Sequence, residues 1–216
     1  MKRNLNGFPF LYNVTTVREG VNILEIVMAI LIGIGLSASA GFRVFTPLLI
    51  TSLAAKVSWV TLSTNFEWIS STPALIAFSV ATILEIFIYY IPIVDSFMKT
   101  IATPVAVIAG TILTASFIAD LDPFLTWSIS VIGGGGVASV TQMTTLAVRG
   151  TSTFVTGGIG NILVSIVEGI IAFVMSVLTI LLPFVVIIFV GIIFFIFIKG
   201  THLFKGRKSV IKSSVM

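Results

Sequence analysis

Apolar residues fall in long runs along this chain, and a few closely grouped polar residues interrupt them. The runs have helical length and do not alternate with period two, so they predict membrane-spanning helices, not barrel strands. Residues 25–56 form the run around which the others are arranged. As one helix it would be about 48 Å long, against a hydrocarbon core of about 30 Å. Gly41, Arg43 and Pro47 fall together inside it. This pattern predicts a crossing over 23–41, then a half-crossing or interfacial helix over 42–56, with structural breaks at Gly41 and Pro47.

A polar loop with Trp59 and Trp68 follows, and the tryptophans read as interface anchors. Ser71-Thr72-Pro73 is a cap-then-proline helix start for a span over 73–90 that contains Glu85. Asp95 and Lys99 are placed in a short loop. The next span covers 101–119, with Pro104 in its first turn. After the acidic turn Asp120-Leu121-Asp122-Pro123 comes a span over 125–148, interrupted by Gly133, Gly134, Gly135 and Gly136 and closed by Arg149. A small-residue stretch leads to Asn161. Residues 162–198 are too long for one crossing and predict two, turning near Leu182-Pro183. The expected architecture is an all-α integral membrane protein with about six transmembrane helices plus half-crossing or re-entrant segments.

Composition supports that class. Of 216 residues, 57% are hydrophobic and 9% charged, with mean hydropathy +1.18, whereas soluble domains carry about a quarter charged residues. Cysteine is absent and His202 is the single histidine, so neither a metal site, a cofactor nor an enzymatic triad is expected. The net charge of +4 comes mostly from the ends. Residues 1–21 read as a cytoplasmic extension, 22–199 as the transmembrane domain and 200–216 as a basic cytoplasmic tail. Positive charge stays on the cytoplasmic side, and an even number of spans puts both ends there. The partner implied is the bilayer, not nucleic acid. Ala38-Ser39-Ala40 imitates a signal-peptidase site, but the polar region before the run is long, and the segment is read as a true span.

Shifted by one hundred positions, the stretch 32–39 lies on 132–139 with identities at Ile, Gly, Gly, Ala and Ser. Ile83-Leu84-Glu85 likewise matches Ile166-Val167-Glu168. The halves, about 22–119 and 125–199, then read as two three-span units. An odd count makes them an inverted repeat, with any site where the broken helices meet.

Charged residues inside spans are site candidates, because one ionised group at the bilayer centre costs about 3 kcal/mol or more. Arg43 with Glu85, and Arg149 with Glu168, are expected to line a polar cavity that binds an ion or anionic group. The bland alternative is structural ion pairing. Asp95 reads first as a turn residue. The glycines 133–136 serve close helix packing or unwind the helix toward a pore. Residues 157–161, ending at Asn161, form an anion-holding nest or a helix start.

These motifs resemble those of a bacterial membrane family known only as domain-of-unknown-function family 4126. The matching elements are residues 41–49, Leu84-Glu85, 91–95, Arg149 with Ser152-Thr153, 157–161 and 165–168. The resemblance covers about 23–198 and implies no activity. Where the family looks to place acid and lysine before the Pro-x-x-Asp element, this chain has Tyr89-Tyr90. Gln142 and Thr145 stand where it looks to have histidine and lysine. A proton relay through those positions is therefore not expected.

The reading favoured is a small transporter or channel for an ion or anionic solute, homo-oligomeric, in the bacterial cytoplasmic membrane. The alternatives are a non-transporting subunit that scaffolds a larger complex with an unknown protein partner, and a protein that binds or flips lipid phosphate headgroups.

Overall fold

The computed structural model describes residues 23–88, 92–118, 121–157 and 159–183, and helical positions 188, 191–193, 195–196 and 198–199 near the end. For 88 and 92–100 the description is of the backbone. The basic ends and Tyr89-Tyr90 lie outside the described residues, as does the side chain of Asp95.

Among the described residues all regular structure is helical. Helix α1 (Ile23–Ala40) and helix α2 (Phe45–Lys56) are joined by residues 41–44. A short 3-10 helix (Thr64–Ser70) precedes α3 (Thr72–Ile88), and α4 (Pro92–Phe117) follows. Then come α5 (Pro123–Ile129), a π-helical segment (Ser130–Gly135), α6 (Gly136–Thr156) and α7 (Gly160–Leu181). Local chemistry fixes several ends. Ser71 Oγ accepts from the Ala74 N–H at 3.3 Å, with Pro73 in the first turn. The Asp122 carboxylate caps α5 through the Phe124 N–H at 2.8 Å, with Pro123 behind it. Gly157, at φ 63, ends α6 in the left-handed conformation.

Small polar groups share the interior with an apolar core, and the outside is apolar. Buried at the centre, Ser37 Oγ lies 2.6 Å from the Gly110 carbonyl oxygen, and Ser39 Oγ 2.6 Å from that of Ala172. On α7 the buried side holds Asn161, Ser165, Glu168, Ser176 and Thr179, while Leu163, Ile170 and Phe173 are exposed. Water would favour the opposite arrangement; lipid favours this one, because small hydroxyl-bearing residues hold helices together where apolar surface cannot. Among the described residues three helical stretches are long and apolar enough to cross a membrane: Ile23–Ala40, Pro123–Thr156 and Gly160–Leu181. The 3-10 helix and α3, bent by 62°, make a fourth if taken as one span. These are the dimensions and surface of a membrane protein.

Contacts give the direction of each helix. Gly33 packs on Thr114 and Ser37 on Gly110, so α1 and α4 are antiparallel. Ser39 meets Ser176 while Arg43 meets Ser165, so α1 and α7 are antiparallel too. At the end of α2, Lys56 Nζ bonds Thr72 Oγ1 at 2.6 Å, and beyond it the Ser63 N–H donates to the Ser116 carbonyl at 2.8 Å. Ser116 lies near the end of α4, which the contact of Gly33 with Thr114 sets level with the middle of α1. The chain therefore doubles back at 41–44, and α2 with the loop after it returns to the level of the middle of α1.

Four sequence expectations change. Pro47 is not a break; it lies in the first turn of α2, and the break occupies 41–44. Residues 92–100 are the beginning of α4, not a loop, so Pro92 takes the first turn and Pro104 lies well inside. The glycines 133–136 do not interrupt their helix, which stays continuous through the π-helical segment and past Arg149 to Thr156. Finally, Ile34 lies against Gly133, and Gly41 against Ala138 and Thr141. The two stretches aligned by the internal match thus run in the same direction, whereas an inverted repeat needs them opposed. The cause lies in the turn at 41–44, which reverses the chain where the span count had no reversal.

The glycines separate into two kinds. A Cβ at Gly134 would stand 2.8 Å from Thr114 Cβ and against the Gly110 carbonyl, whereas one at Gly136 would meet nothing within 4 Å. Gly134→Val is expected to destabilise the detergent-solubilised protein by about 1–3 kcal/mol or more, and Gly136→Ala to change stability by less than about 0.5 kcal/mol. Thermal melts followed by tryptophan fluorescence check this; equal effects would mean that close helix approach is not what position 134 provides.

Candidate functional site

The site begins with an unmet need. Helix α2 starts inside the bundle, where its first N–H groups have no partner from the helix itself. Its N-cap residue, Val44, offers no side-chain acceptor. Pro47 removes one of the four orphan donors, since it has no N–H. The Glu85 carboxylate of α3 takes two more: the Val44 N–H donates to Oε1 at 2.8 Å and the Phe45 N–H to Oε2 at 3.2 Å. A carboxylate at a helix N-terminus also meets the positive end of the helix dipole. Glu85 is 8% exposed.

Arg43, 3% exposed, belongs to the same turn. Its Nη1 donates to the Glu85 main-chain carbonyl at 3.1 Å, and its Nη2 to the Ser165 carbonyl at 2.9 Å and to Ser165 Oγ. Gly169, one turn beyond Ser165, lies beside the guanidinium; a Cβ there would sit 4.0 Å from Nε. The hydrogen-bonded link between Arg43 and Glu85 therefore runs through the glutamate's backbone, while the Arg43 charge also acts on the Glu85 carboxylate across space.

The second pair is direct. Arg149 of α6 and Glu168 of α7 are both buried, and Arg149 Nε lies 3.1 Å from each Glu168 carboxylate oxygen. Nη2 of Arg149 also bonds Oε2 of Glu168. Glu168 also lies near enough to act on Glu85, so the two pairs belong to one cluster of two guanidinium and two carboxyl groups. Arg149 does not mark a helix end, because α6 runs seven residues further to Thr156.

Asn161 stands nearer the α6–α7 turn. Its Nδ2 donates to Thr153 Oγ1 at 2.9 Å, and the Thr153 hydroxyl donates to the Arg149 carbonyl at 2.9 Å. Asn161 is tied to the cluster through the Arg149 backbone. Gly157 and Gly160 form a helix turn: Gly157 ends α6, and the Gly160 N–H donates to Thr156 Oγ1 at 2.9 Å. Among the glycines, Gly41 closes α1 tightly against α6, where a Cβ would stand 2.7 Å from the Ala138 carbonyl.

Two groups escaped the sequence reading as site members: Ser165, which grips Arg43, and Thr153, which joins Asn161 to Arg149. The signal for Ser165 is helical spacing. Positions 161, 165, 168, 176 and 179 of α7 are all polar and share one face of an otherwise apolar helix. The donors of Val44 and Phe45 carry no such signal, because every residue has an N–H.

The class these features define is a membrane protein, all-helical among the described residues, with a buried charge cluster at the turn 41–44. The chain belongs to an uncharacterised family, whose model, Domain of unknown function (DUF4126), matches residues 30–201. No curated protein and no solved structure matches the chain.

Breaking a buried ion pair from one side strands the other charge and costs about 3–5 kcal/mol, while apolar replacement of both partners is often neutral. Arg149→Leu alone is expected to destabilise the protein by about that much. The double variant Arg149→Leu with Glu168→Leu is expected to recover most of the loss. A double-variant melt no higher than that of the single variant would show that the two side chains are not mutually compensating.

Proposed function

We infer that this protein is a membrane transport protein, a small channel or transporter for an ion or small anionic solute. The observation that supports this most is the convergence of Arg43, Glu85, Arg149 and Glu168, drawn from four separate segments, in the interior of a bundle whose outside is apolar. Charged groups are costly to bury, and small and hydroxyl-bearing residues already hold these helices together, so a buried charge cluster is a poor device for stability alone. It lies about 18 Å along α2 from Lys56, hence well inside a core about 30 Å thick. In this reading the chain is a multi-pass, homo-oligomeric protein of the bacterial cytoplasmic membrane with both basic ends on the cytoplasmic side. The reading does not need the halves to be inverted; it needs only that the turn at 41–44 bring its charge to that depth.

One observation favours a second reading, a scaffold subunit with internal struts. Arg149 and Glu168 satisfy one another, and the Glu85 carboxylate is bonded at both oxygens.

Purified protein in liposomes separates the two. Fluxes of halides, small carboxylates, alkali cations and protons are measured for the native chain, Glu85→Gln and Arg43→Ala. Transport requires a flux in the native chain that changes by about tenfold or more in variants that still fold, equivalent to about 1.4 kcal/mol at the rate-limiting step. Unchanged fluxes in folded variants would remove transport and leave the scaffold.

A further inference from the structure

The Asn161 side chain has one satisfied end and one open end. Its Nδ2 donates to Thr153 Oγ1 at 2.9 Å, and the Thr153 hydroxyl gives its single hydrogen to the Arg149 carbonyl at 2.9 Å. The Thr153 oxygen can therefore only accept from Asn161, which fixes the amide with its nitrogen toward Thr153 and its oxygen away. That oxygen, Oδ1, is buried and has no hydrogen-bond partner among the described residues, and the whole residue is 8% exposed. Thr51 and Ser130 also carry buried hydroxyls without a partner, but a hydroxyl in a helix can turn onto the carbonyl four residues back. The amide of Asn161 has no such freedom, and a buried acceptor left without a donor is costly. What Oδ1 needs is a donor, so an anion is the wrong ligand for it.

The surroundings suit a small polar molecule. The hydroxyls of Ser152 and Thr156 crowd the neighbouring Gly160, where a Cβ would stand 2.6 Å and 2.8 Å from their oxygens. Thr153 and Thr156 are exposed, so Asn161 lies just beneath the surface at the hairpin of α6 and α7. Further in, Ser165 is one turn along α7 and bonds Arg43. Glu168 lies about 10 Å from Asn161 along the helix axis, on the same buried face. Toward the start of α1, by contrast, Leu36, Leu48, Ile69 and Leu113 pack into one buried apolar cluster.

We propose that Asn161 Oδ1 is a water-binding site and the entrance through which the charge cluster is hydrated from the α6–α7 hairpin, the side toward the start of α1 being closed by the apolar cluster. A water there donates to Oδ1 and finds its further partners among the hydroxyls around Gly160. As an entrance this rests on the transport reading; as a water site it does not.

The chain has no cysteine, so an introduced thiol reports alone on hydration. A silver ion displaces the thiol proton only where water reaches the sulfur, and the bound silver then blocks maleimide labelling after the protein is unfolded. Ser165→Cys and Thr145→Cys put thiols at buried polar positions, the first beside Arg43 and the second one turn before Arg149. Leu48→Cys and Leu36→Cys put them in the apolar cluster. With silver nitrate added to the protein in lipid nanodiscs, the two polar positions are expected to be blocked about tenfold faster or more than the two apolar ones. Asn161→Leu, added to either polar variant, is expected to slow its blocking by about tenfold or more. Whichever of Ser165→Cys and Thr145→Cys folds carries the test. Equal rates at polar and apolar positions, or a rate that Asn161→Leu leaves unchanged, would overturn the proposal. Liposome flux on the same chains keeps the two ideas apart. Fast blocking that depends on Asn161, without any flux, preserves the water site and removes transport. Flux with polar positions as unreactive as Leu48→Cys preserves transport and removes the entrance.

Discussion

A helix that begins inside an apolar bundle must find partners for its first N–H groups, and the rest of this structure depends on how α2 does so. In lipid an unsatisfied backbone donor costs several kcal/mol, and no water is at hand to meet it. Val44 cannot cap the helix, so Glu85 reaches across from α3 and bonds both Val44 and Phe45. That bond fixes α3 against α2, which in turn fixes the depth of Arg43. With Arg43 placed, Ser165 is gripped and α7 is set in register beside the turn.

The close packing of α1, α4 and α6 serves the same end. Hydroxyls and missing side chains let these helices approach until a Cβ at Gly33 would stand 2.7 Å from the Thr114 Cα. Ser37 and Ser39 meet backbone carbonyls on two different helices, Gly110 on α4 and Ala172 on α7. Such contacts hold the end of α1 rigidly, so the turn at 41–44 starts from a fixed point. The uncharged contacts thus hold the turn from the side of α1, as the Glu85 bonds hold it from the side of α2.

How much of this was legible in the sequence follows from what each signal measures. Hydropathy registers burial in lipid, so the long apolar helices were plain, and the break in the first run was visible because 25–56 has the wrong length for one crossing. Direction is another matter. Whether a half-crossing continues or returns depends on bonds such as Ser63 to Ser116, made between backbones that carry no side-chain signature. The inverted repeat rested on counting three spans in each half, with no crossing added by 42–56. Proline and glycine misled for a related reason. Their conformational limits make a break permissible without requiring one, and Pro104 and Gly134 both lie inside continuous helices. In the cluster, the four charges stood out because charge is rare here, and the direct pairing of Arg149 with Glu168 is the alternative that stood beside a shared polar cavity. That Arg43 would bond the backbone of Glu85, and that the Glu85 carboxylate would cap a helix, lay beyond residue identity.

That last distinction bears on why a chain would keep such a cluster. An ion pair used only as a strut is best made as Arg149 and Glu168 make theirs, carboxylate to guanidinium with both ends committed. Glu85 is held differently, by two main-chain donors that would accept any carboxylate, next to a cation fixed through main-chain carbonyls. Its bonds specify a pair of acceptor oxygens but not a particular residue, so one side chain both caps the start of α2 and holds an acid beside Arg43.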